Sequence, residues 1–207
     1  MDTCKITALK QGLKNPDRVN VFVDDKFSFS LDVSQVVDFG IKVGLEVMPE
    51  QVAEFKRAQE FGKLYQRALE WVLARPHSKK ELSDYLYKKI YEKKLDKNYV
   101  DRIIKKLEDK KYVDDSKFAE YYMENRFLKK GISAKRLKLE LLKKGVSKEI
   151  VEEVLVESPR DEKEEILKVI SKKRKKYDDE KLTAYLVRQG FPYDLVRELV
   201  LESSETD

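Results

Sequence analysis

The sequence has few of the residues on which catalytic and metal-binding sites usually depend. Its 207 residues include one cysteine, Cys4, and one histidine, His77. A single cysteine excludes an intramolecular disulfide, and one residue of each type excludes a metal site built from several cysteines and histidines. The seven glycines are scattered, so there is no glycine-rich loop to cradle phosphates. These shortages predict a protein that is not an enzyme and that uses no cofactor and no metal.

Two features could still be taken for chemistry. His77 stands beside Ser78, a typical helix-capping residue, and a structural role is favoured because a general base also needs a partner that orients it. Asp114 and Asp115 could form a carboxylate pair for a metal. They precede an apolar-periodic run, however, so helix capping and a favourable interaction with the helix dipole explain them better.

Long apolar runs are also missing. No apolar run follows Met1–Lys5, and no window approaches the roughly 18 apolar residues of a membrane-spanning helix. Charged residues make up 40% of the chain, but the two signs are interleaved and apolar periodicity persists between them. This pattern indicates solvated helix faces rather than disorder. We therefore predict a cytoplasmic protein without a membrane partner.

What the sequence does contain is a repeated helical unit. Self-similarity at a period of this size is typical of arrays of supersecondary units, which bury their faces against their neighbours and are elongated. A shift of 45 residues superimposes Leu137 on Leu182, Leu141 on Leu186, Gly145 on Gly190, Ile150 on Leu195, Val151 on Val196 and Val154 on Leu199.

Capping residues divide each unit into three helices. Asp114, Ser133 and Ser147 stand where N-caps belong, and Gly131 and Gly145 follow the helical runs, where a left-handed residue ends a helix. A looser copy of the unit precedes this one and begins with a helix that ends at Arg75–Pro76.

The first 58 residues are different in kind. Apolar residues alternate with others in 19–23 and again in 27–31, and Asp24–Asp25 between them forms a plausible two-residue turn. This pattern predicts a β-hairpin. A short helix should begin at Val33, and a longer one near Pro49.

The sequence thus predicts a mainly α fold, in which tandem three-helix repeats form an elongated array after a small N-terminal module that contains a β-hairpin. The expected domains are the module, residues 1–58, and three repeats, residues 59–113, 114–158 and 159–207.

Positive charge is concentrated in the repeats. The net charge is +5, yet residues 1–58 hold 8 Lys and Arg against 9 Asp and Glu. Residues 126–148 hold nine basic side chains and the single acid Glu140. Such a run can be a solvated face or a surface for nucleic acid or an acidic protein, and both interpretations stay open.

A second basic cluster lies at Lys172–Lys176. A binding role is less favoured there because contiguous charges point around the whole helix. Several tyrosines could stack on bases, although packing is favoured for most of them. They are Tyr112, Tyr121, Tyr122 and Tyr177.

Several short motifs occur along the repeats in the following order: Arg75-Pro76-His77-Ser78 with Glu81-Leu82, Tyr112-Val113-Asp114-Asp115 with Phe118-Ala119, Arg126, Lys130-Gly131, and Leu141 with Lys144-Gly145-Val146. In this order and spacing they resemble the RecX family of regulatory proteins. The resemblance covers roughly residues 60–157, and the third repeat extends it to about residue 203. This chain has Lys111 where the family commonly has glycine, and Val113 where leucine is usual.

The resemblance implies a curved array and a cytoplasmic bacterial regulator of recombination and DNA repair. It implies a protein, expected to be a monomer, that binds the RecA recombinase filament along its groove and inhibits its ATPase and strand exchange. Some members also bind DNA, so single- or double-stranded DNA is a further expected partner. The family has no catalytic residues to carry over, and the N-terminal module is expected to lie outside the core family pattern.

A basic face on the second repeat could track such a filament, with electrostatic steering that weakens as salt rises. Two alternatives remain: a stand-alone DNA-binding module of helix-turn-helix type, and an adaptor for a protein unrelated to recombination. The candidate partner- or DNA-binding residues are Arg126, Lys129, Lys130, Lys135, Arg136, Lys138, Lys143 and Lys144.

Overall fold

A computed structural model describes residues 3–13, 15–127, 131–158 and 161–205. Within these ranges the fold is mainly α-helical, with one small antiparallel sheet at the N-terminal end, as predicted. The strands are β1 (Cys4–Gln11), β2 (Arg18–Val23), β3 (Lys26–Asp32) and β4 (Glu46–Val47). The helices are α1 (Val33–Asp38), α2 (Pro49–Leu73), α3 (Lys79–Lys93), α4 (Asn98–Asp109), α5 (Asp115–Phe127), α6 (Ala134–Lys143), α7 (Lys148–Glu157), α8 (Glu162–Lys173), α9 (Asp179–Arg188) and α10 (Tyr193–Glu205).

The sheet has the strand order β3-β2-β1-β4, and its three pairings are antiparallel. The predicted hairpin is confirmed as β2–β3. Its two turn residues, Asp24 and Asp25, have φ angles of 48° and 62°, which is the geometry that suits the twist of a two-residue hairpin. Phe29 and Leu31 of β3 are fully buried, and so is Ile6 of β1.

Helix α2 covers this sheet with its N-terminal half. The ring centroid of Phe55 lies 5.5 Å from that of Phe29 and 5.1 Å from that of Phe39. The helix then continues without a break past residue 58, so the N-terminal module and the first predicted repeat share one helix.

The chain divides into two compact units, and the division passes through α2, α3 and α4. One unit comprises residues 1–71 and 86–103, and the other comprises residues 72–85 and 104–207. The second unit contains two complete three-helix repeats, α5–α7 and α8–α10. We call them the second and third repeats, and α2–α4 the first.

The second and third repeats have equivalent cores, which confirms the predicted helical repetition. The pairs aligned by the shift of 45 residues are buried together: Leu137 with Leu182, Leu141 with Leu186, Val146 with Phe191, Val151 with Val196 and Val154 with Leu199.

The helix ends also follow the sequence. Asp114 accepts hydrogen bonds from the backbone N–H of Ser116 at 3.0 Å and of Lys117 at 3.3 Å, so it caps α5. Gly145 and Gly190, which follow α6 and α9, have φ angles of +85° and +94°. These positions need glycine because other residues rarely adopt that conformation.

Consecutive repeats are held together by a recurring hydrogen bond. The hydroxyl of Ser78 donates to the carbonyl of Lys144 at 2.7 Å, and the hydroxyl of Ser133 donates to the carbonyl of Gln189 at 2.6 Å. In both cases a residue at the start of one repeat's second helix contacts the end of the next repeat's second helix. We call these contacts the first joint and the second joint.

The joints share a second hydrogen bond. The carboxylate of Asp115, the first residue of α5, accepts from the backbone N–H of Lys79 at 2.8 Å. Glu162, the first residue of α8, accepts in the same way from Ala134 at 2.9 Å. Each repeat therefore uses an acidic residue of its first helix to cap the second helix of the repeat before it.

The third repeat differs at the donor position. Asp178 stands where the earlier repeats have Ser78 and Ser133. Its carboxylate accepts from the backbone N–H of Lys181 at 2.8 Å and pairs with the ammonium of that residue at 2.7 Å. Asp178 thus caps α9, but an ionised carboxylate has no hydrogen to donate to another repeat.

Candidate functional site: a basic cleft at the second joint

Six of the eight predicted basic residues lie in the described part of the chain, and Lys129 and Lys130 lie outside it. Arg126 is in the last turn of α5, Lys144 follows α6, and the remaining four are on α6. Their side chains do not form one uniform face, because most of them contact acidic groups in different places.

Two of the predicted cations meet at the one acid of the basic run. Arg126 forms a two-pronged ion pair with Glu140, with Nε 2.8 Å from Oε2 and Nη2 2.6 Å from Oε1. The Nε of Arg136 lies 3.4 Å from Oε1, and the hydroxyl of Tyr122 donates to Oε2 at 2.9 Å. Glu140 therefore fixes both guanidinium groups.

The electrostatics of this cluster keep its charges in place at neutral pH. Burial raises the pKa of Glu140, but hydrogen bonds from Arg126 and Tyr122 outweigh it, so the pKa lies below its ordinary value. The hydrogen bond to Glu140 raises the pKa of Arg126. Burial raises the pKa of Tyr122, and its hydrogen bond to Glu140 raises it further. Glu140 is therefore ionised and holds two charged guanidinium groups.

Two other predicted residues pair elsewhere. The Nζ of Lys138 lies 2.7 Å from Glu152, on α7. The Nζ of Lys144 lies 2.5 Å from Glu81, across the first joint. Among the described residues, neither Lys135 nor Lys143 has an ion-pair partner.

Arg126 and Arg136 line a cleft of about 320 Å³ at the second joint. Two residues of the second basic cluster, Lys172 and Lys173 at the end of α8, line it as well. The described residues that line the cleft thus include four cationic side chains and no acidic one. The complete lining is Arg126, Gly131, Ile132, Arg136, Val169, Lys172, Lys173, Tyr185 and Gln189.

Tyrosine rings support one wall of the cleft. The Nζ of Lys173 lies 5.4 Å from the ring centroid of Tyr185 and 5.8 Å from that of Tyr177, a cation–π arrangement. The centroids of the two tyrosine rings are 5.7 Å apart. The next residue, Arg174, pairs with Asp179, so the second basic cluster divides between the cleft and a local ion pair.

The first joint forms an equivalent cleft, in which two acids partly offset the charge of three lysines. This smaller cleft, of about 170 Å³, includes Glu81, whose carboxylate pairs with Lys144, and Asp84, which lies 2.9 Å from the Nζ of Lys80. At the second joint, Arg136 and Gln189 occupy the positions of Glu81 and Lys144, and an Arg136 Nη1 group donates to Gln189 Oε1. The same backbone arrangement therefore carries side chains of both signs at the first joint, and only cationic charged side chains among the described residues that line the cleft at the second.

The sequence analysis did not predict that the two basic clusters meet in space, and it did not include Tyr185 or Gln189 among the candidate site residues. The shift of 45 residues places Tyr185 on Glu140 and Gln189 on Lys144. That alignment could have shown that the third repeat lacks the charged residues of the second. Which side chains meet across a joint depends on repeat packing, which the alignment does not contain.

The described residues contain neither a cluster of metal-binding side chains nor a membrane-spanning helix. Over the described ranges, no group of three or more His, Cys, Asp or Glu side chains is arranged to hold a metal ion. None of the described helices is both long and apolar enough to cross a membrane.

Comparisons with known proteins agree on one family. The model of the regulatory protein RecX N-terminal domain matches residues 4–48, and that of the RecX second three-helix domain matches residues 114–155. The expectation that the N-terminal module lies outside the family pattern is therefore wrong. A short, alternating β-hairpin occurs in many unrelated proteins, so residues 19–31 carried no family signal of their own.

The curated relatives cover almost the whole chain. Regulatory protein RecX from Bacillus velezensis is 33% identical, over 97% of this chain and 77% of that protein. The namesake from Listeria welshimeri is 28% identical, over 97% of this chain and 76% of that protein.

Solved structures share the fold. A crystal structure of regulatory protein RecX superimposes with a TM-score of 0.76 at 22% identity, over 96% of this chain and 99% of the other. RecX from Lactobacillus salivarius gives a TM-score of 0.56 at 25% identity, over 70% and 97% respectively.

Proposed function

The chain belongs to the RecX family of regulatory proteins, and we propose that it binds the RecA recombinase filament and inhibits its ATPase and strand-exchange activities. In this proposal the protein acts in the cytoplasm as a monomer, in recombination and DNA repair. It works as a binding protein without catalytic chemistry of its own.

The basic cleft at the second joint is the observation that supports this proposal. A recombinase filament carries DNA, which is a long polyanion, and a protein that approaches that DNA gains from a concentrated positive potential. Four cations line the cleft, and Lys135, which precedes Arg136 on α6 and lies close to Gly190, adds positive charge beside the second joint. Electrostatic attraction would steer the protein to the filament and would weaken as salt is raised.

The distribution of charge also favours a specific role for this surface. If the positive charge served only to keep the helices solvated, the two joints would be expected to resemble each other. The first joint instead pairs Lys144 with Glu81 and Lys80 with Asp84, and of the lysines in its cleft only Lys143 has no ion-pair partner among the described residues. The remaining predicted residues, Lys129, Lys130, Lys138, Lys143 and Lys144, stay in the proposal as surrounding charge.

The test is the RecA ATPase on single-stranded DNA, titrated with this protein. We expect inhibition at concentrations well below those at which the protein binds the same DNA alone. Neutralisation by Lys135→Gln, Lys143→Gln and Lys172→Gln together should raise the half-inhibitory concentration roughly tenfold, because three weak charge contacts are lost.

A charge-matched control separates this effect from a change in net charge. Lys80→Gln, Lys148→Gln and Lys163→Gln remove the same charge from other exposed positions and should leave inhibition unchanged. The proposal fails if the wild-type protein does not slow the ATPase. Tight, sequence-dependent binding to naked duplex without an effect on the recombinase would favour the helix-turn-helix alternative.

A further inference from the structure

We infer that the cleft at the second joint binds the phosphate backbone of single-stranded nucleic acid, with Tyr185 providing a surface against which a base packs. This inference deepens the proposed function and takes its biological setting from it, because nucleic acid runs along the filament. The predicted basic face did not include Lys172, Lys173 or Tyr185.

The cleft gathers cations from two repeats. Arg126 and Arg136 come from the second repeat, and Lys172 and Lys173 come from the third. Four like charges around about 320 Å³ repel one another, and Glu140, the acid that pairs with both arginines, does not itself line the cleft. A bound anion relieves this repulsion, so the folded cleft favours an anionic ligand.

Two of the cations are held in position before any ligand arrives. Glu140 accepts two hydrogen bonds from Arg126, through Nε and Nη2. Arg136 is anchored by Glu140 on one side and by the side-chain oxygen of Gln189 on the other. A guanidinium group carries five N–H donors, so each arginine keeps donors for a phosphate. Holding these side chains in advance reduces the entropy lost on binding.

The side of the cleft that the third repeat forms is better suited to nucleic acid than to an acidic peptide. Tyr185 lines the cleft beside Lys173, and its ring is backed by that of Tyr177. Cations interleaved with aromatic rings are typical of single-strand binding grooves, in which phosphates meet the cations and bases stack on the rings. An acidic peptide would form ion pairs with the cations but would gain no base stacking from the tyrosine ring.

The size of the cleft favours a single strand over a duplex. A volume of about 320 Å³ is at the lower end of the range of small-molecule pockets, which is roughly 300–1,000 Å³. It can admit a segment of about one nucleotide. The cleft at the first joint, of about 170 Å³ and lined by Glu81 and Asp84, offers neither the room nor the charge.

The inference is tested with the full chain and no recombinase present. The measurement is the fluorescence anisotropy of labelled oligo-dT over a series of salt concentrations. Arg136→Gln with Lys172→Gln removes one cation from each wall. We expect affinity at low salt to fall roughly tenfold, and the slope of log affinity against log salt to decrease by about 1.4, for two lost phosphate contacts.

Lys80→Gln with Lys148→Gln is the control, since both lysines are exposed, each pairs with a single acid, and neither lines the cleft. This pair should change affinity by less than about twofold, because only diffuse charge is lost. Equal losses in the test and control variants would overturn the inference. Thermal unfolding of each variant confirms that it is folded.

A second variant, Tyr185→Leu, separates nucleic acid from other anions. We expect oligo-dT binding to weaken roughly fivefold or more through lost stacking, with binding of polyglutamate unchanged. If polyglutamate competes as well as oligo-dT, the cleft is a site for acidic peptides and the inference is wrong. Because the recombinase is absent, failure here leaves the ATPase result intact, and failure of ATPase inhibition leaves this result intact.

Discussion

At the scale of single residues, Glu140 decides how positive charge is presented. Without it, Arg126 and Arg136 would be two long, mobile side chains that repel each other. With it, both guanidinium groups are fixed, and Tyr122 completes the cluster. Glu140 thus cancels one positive charge near the cleft but fixes the positions of the two guanidinium groups. Donors in fixed positions suit the binding of a specific anion better than diffuse electrostatic attraction does.

Glu140→Gln should lower the free energy of unfolding by about 1 to 2 kcal/mol at neutral pH, because a charge-assisted hydrogen-bond cluster is lost. The pKa of Glu140 is lowered in the folded state from its ordinary value of 4.5. Its contribution is therefore fully present above pH 4.5 and disappears as the pH falls through the lowered pKa. Urea denaturation of both proteins at several pH values measures this difference.

Glu152→Gln provides the comparison for that prediction. It breaks the ion pair with Lys138, in which both side chains are more than a third exposed, so solvent screens the interaction and the loss should be small. A difference between wild type and Glu140→Gln that stays constant down to strongly acidic pH would contradict the assigned pKa shift.

At the scale of helices, each joint depends on a serine that serves two helices at once. The Ser133 hydroxyl accepts from the backbone N–H of Arg136 at 3.2 Å, which caps α6, and donates to the carbonyl of Gln189 at the end of α9. Gly190 allows this close approach. A Cβ atom there would lie 2.8 Å from the Ser133 hydroxyl.

Ser133→Ala should therefore destabilise the second and third repeats more than an ordinary cap deletion. The loss of the cap costs about 1 kcal/mol, and the carbonyl of Gln189 loses its partner across the joint, which adds about 1 kcal/mol or more. Ser147→Ala is the matched control, since Ser147 caps α7 by accepting a hydrogen bond from the backbone N–H of Ile150 and is not one of the two joint serines. Chemical denaturation compares the two, and equal losses would show that the joint bond contributes nothing.

Much of the helical part could be predicted at this scale, because the determinants are local. Leu137 and Leu182 occupy equivalent buried positions in their repeats, and Gly145 and Gly190 follow the ends of equivalent helices. The cleft could not be predicted, because it arises where two repeats meet. In the sequence, Glu140 is only the lone acid of a basic run.

At the scale of the molecule, the sheet and the first repeat are built on one helix. Phe55 of α2 is 5% exposed and packs on Phe29 and Phe39, so the hydrophobic core of the sheet is completed by a residue of the helix. The boundary expected near residue 58 falls inside that helix. The apolar periodicity of α2 does not mark the point at which the helix stops packing on the sheet and begins to pack in the first repeat. The sequence therefore could not show that one helix belongs to both.

Phe55→Ala should destabilise the sheet by about 3 to 5 kcal/mol, because it leaves a cavity among buried rings. Phe27→Ala is a control of the same chemistry on β3, where the ring is 58% exposed, and should cost less than about 1 kcal/mol. Hydrogen exchange of the backbone amides of β2 and β3 measures the local effect. Similar protection in both variants would show that the helix is dispensable to the sheet.

The hydrogen bond at each joint has a direction, and Asp178 at the start of α9 cannot repeat it. Each joint needs a hydroxyl on the preceding repeat and a carbonyl on the following one, so units of this kind assemble head to tail. Asp178 keeps the cap of its own helix but presents an acceptor where the joint requires a donor. The hydroxyl-to-carbonyl bond seen at the first and second joints therefore has no counterpart at Asp178, and Asp178→Ser would supply the missing donor while keeping a side chain that can cap α9.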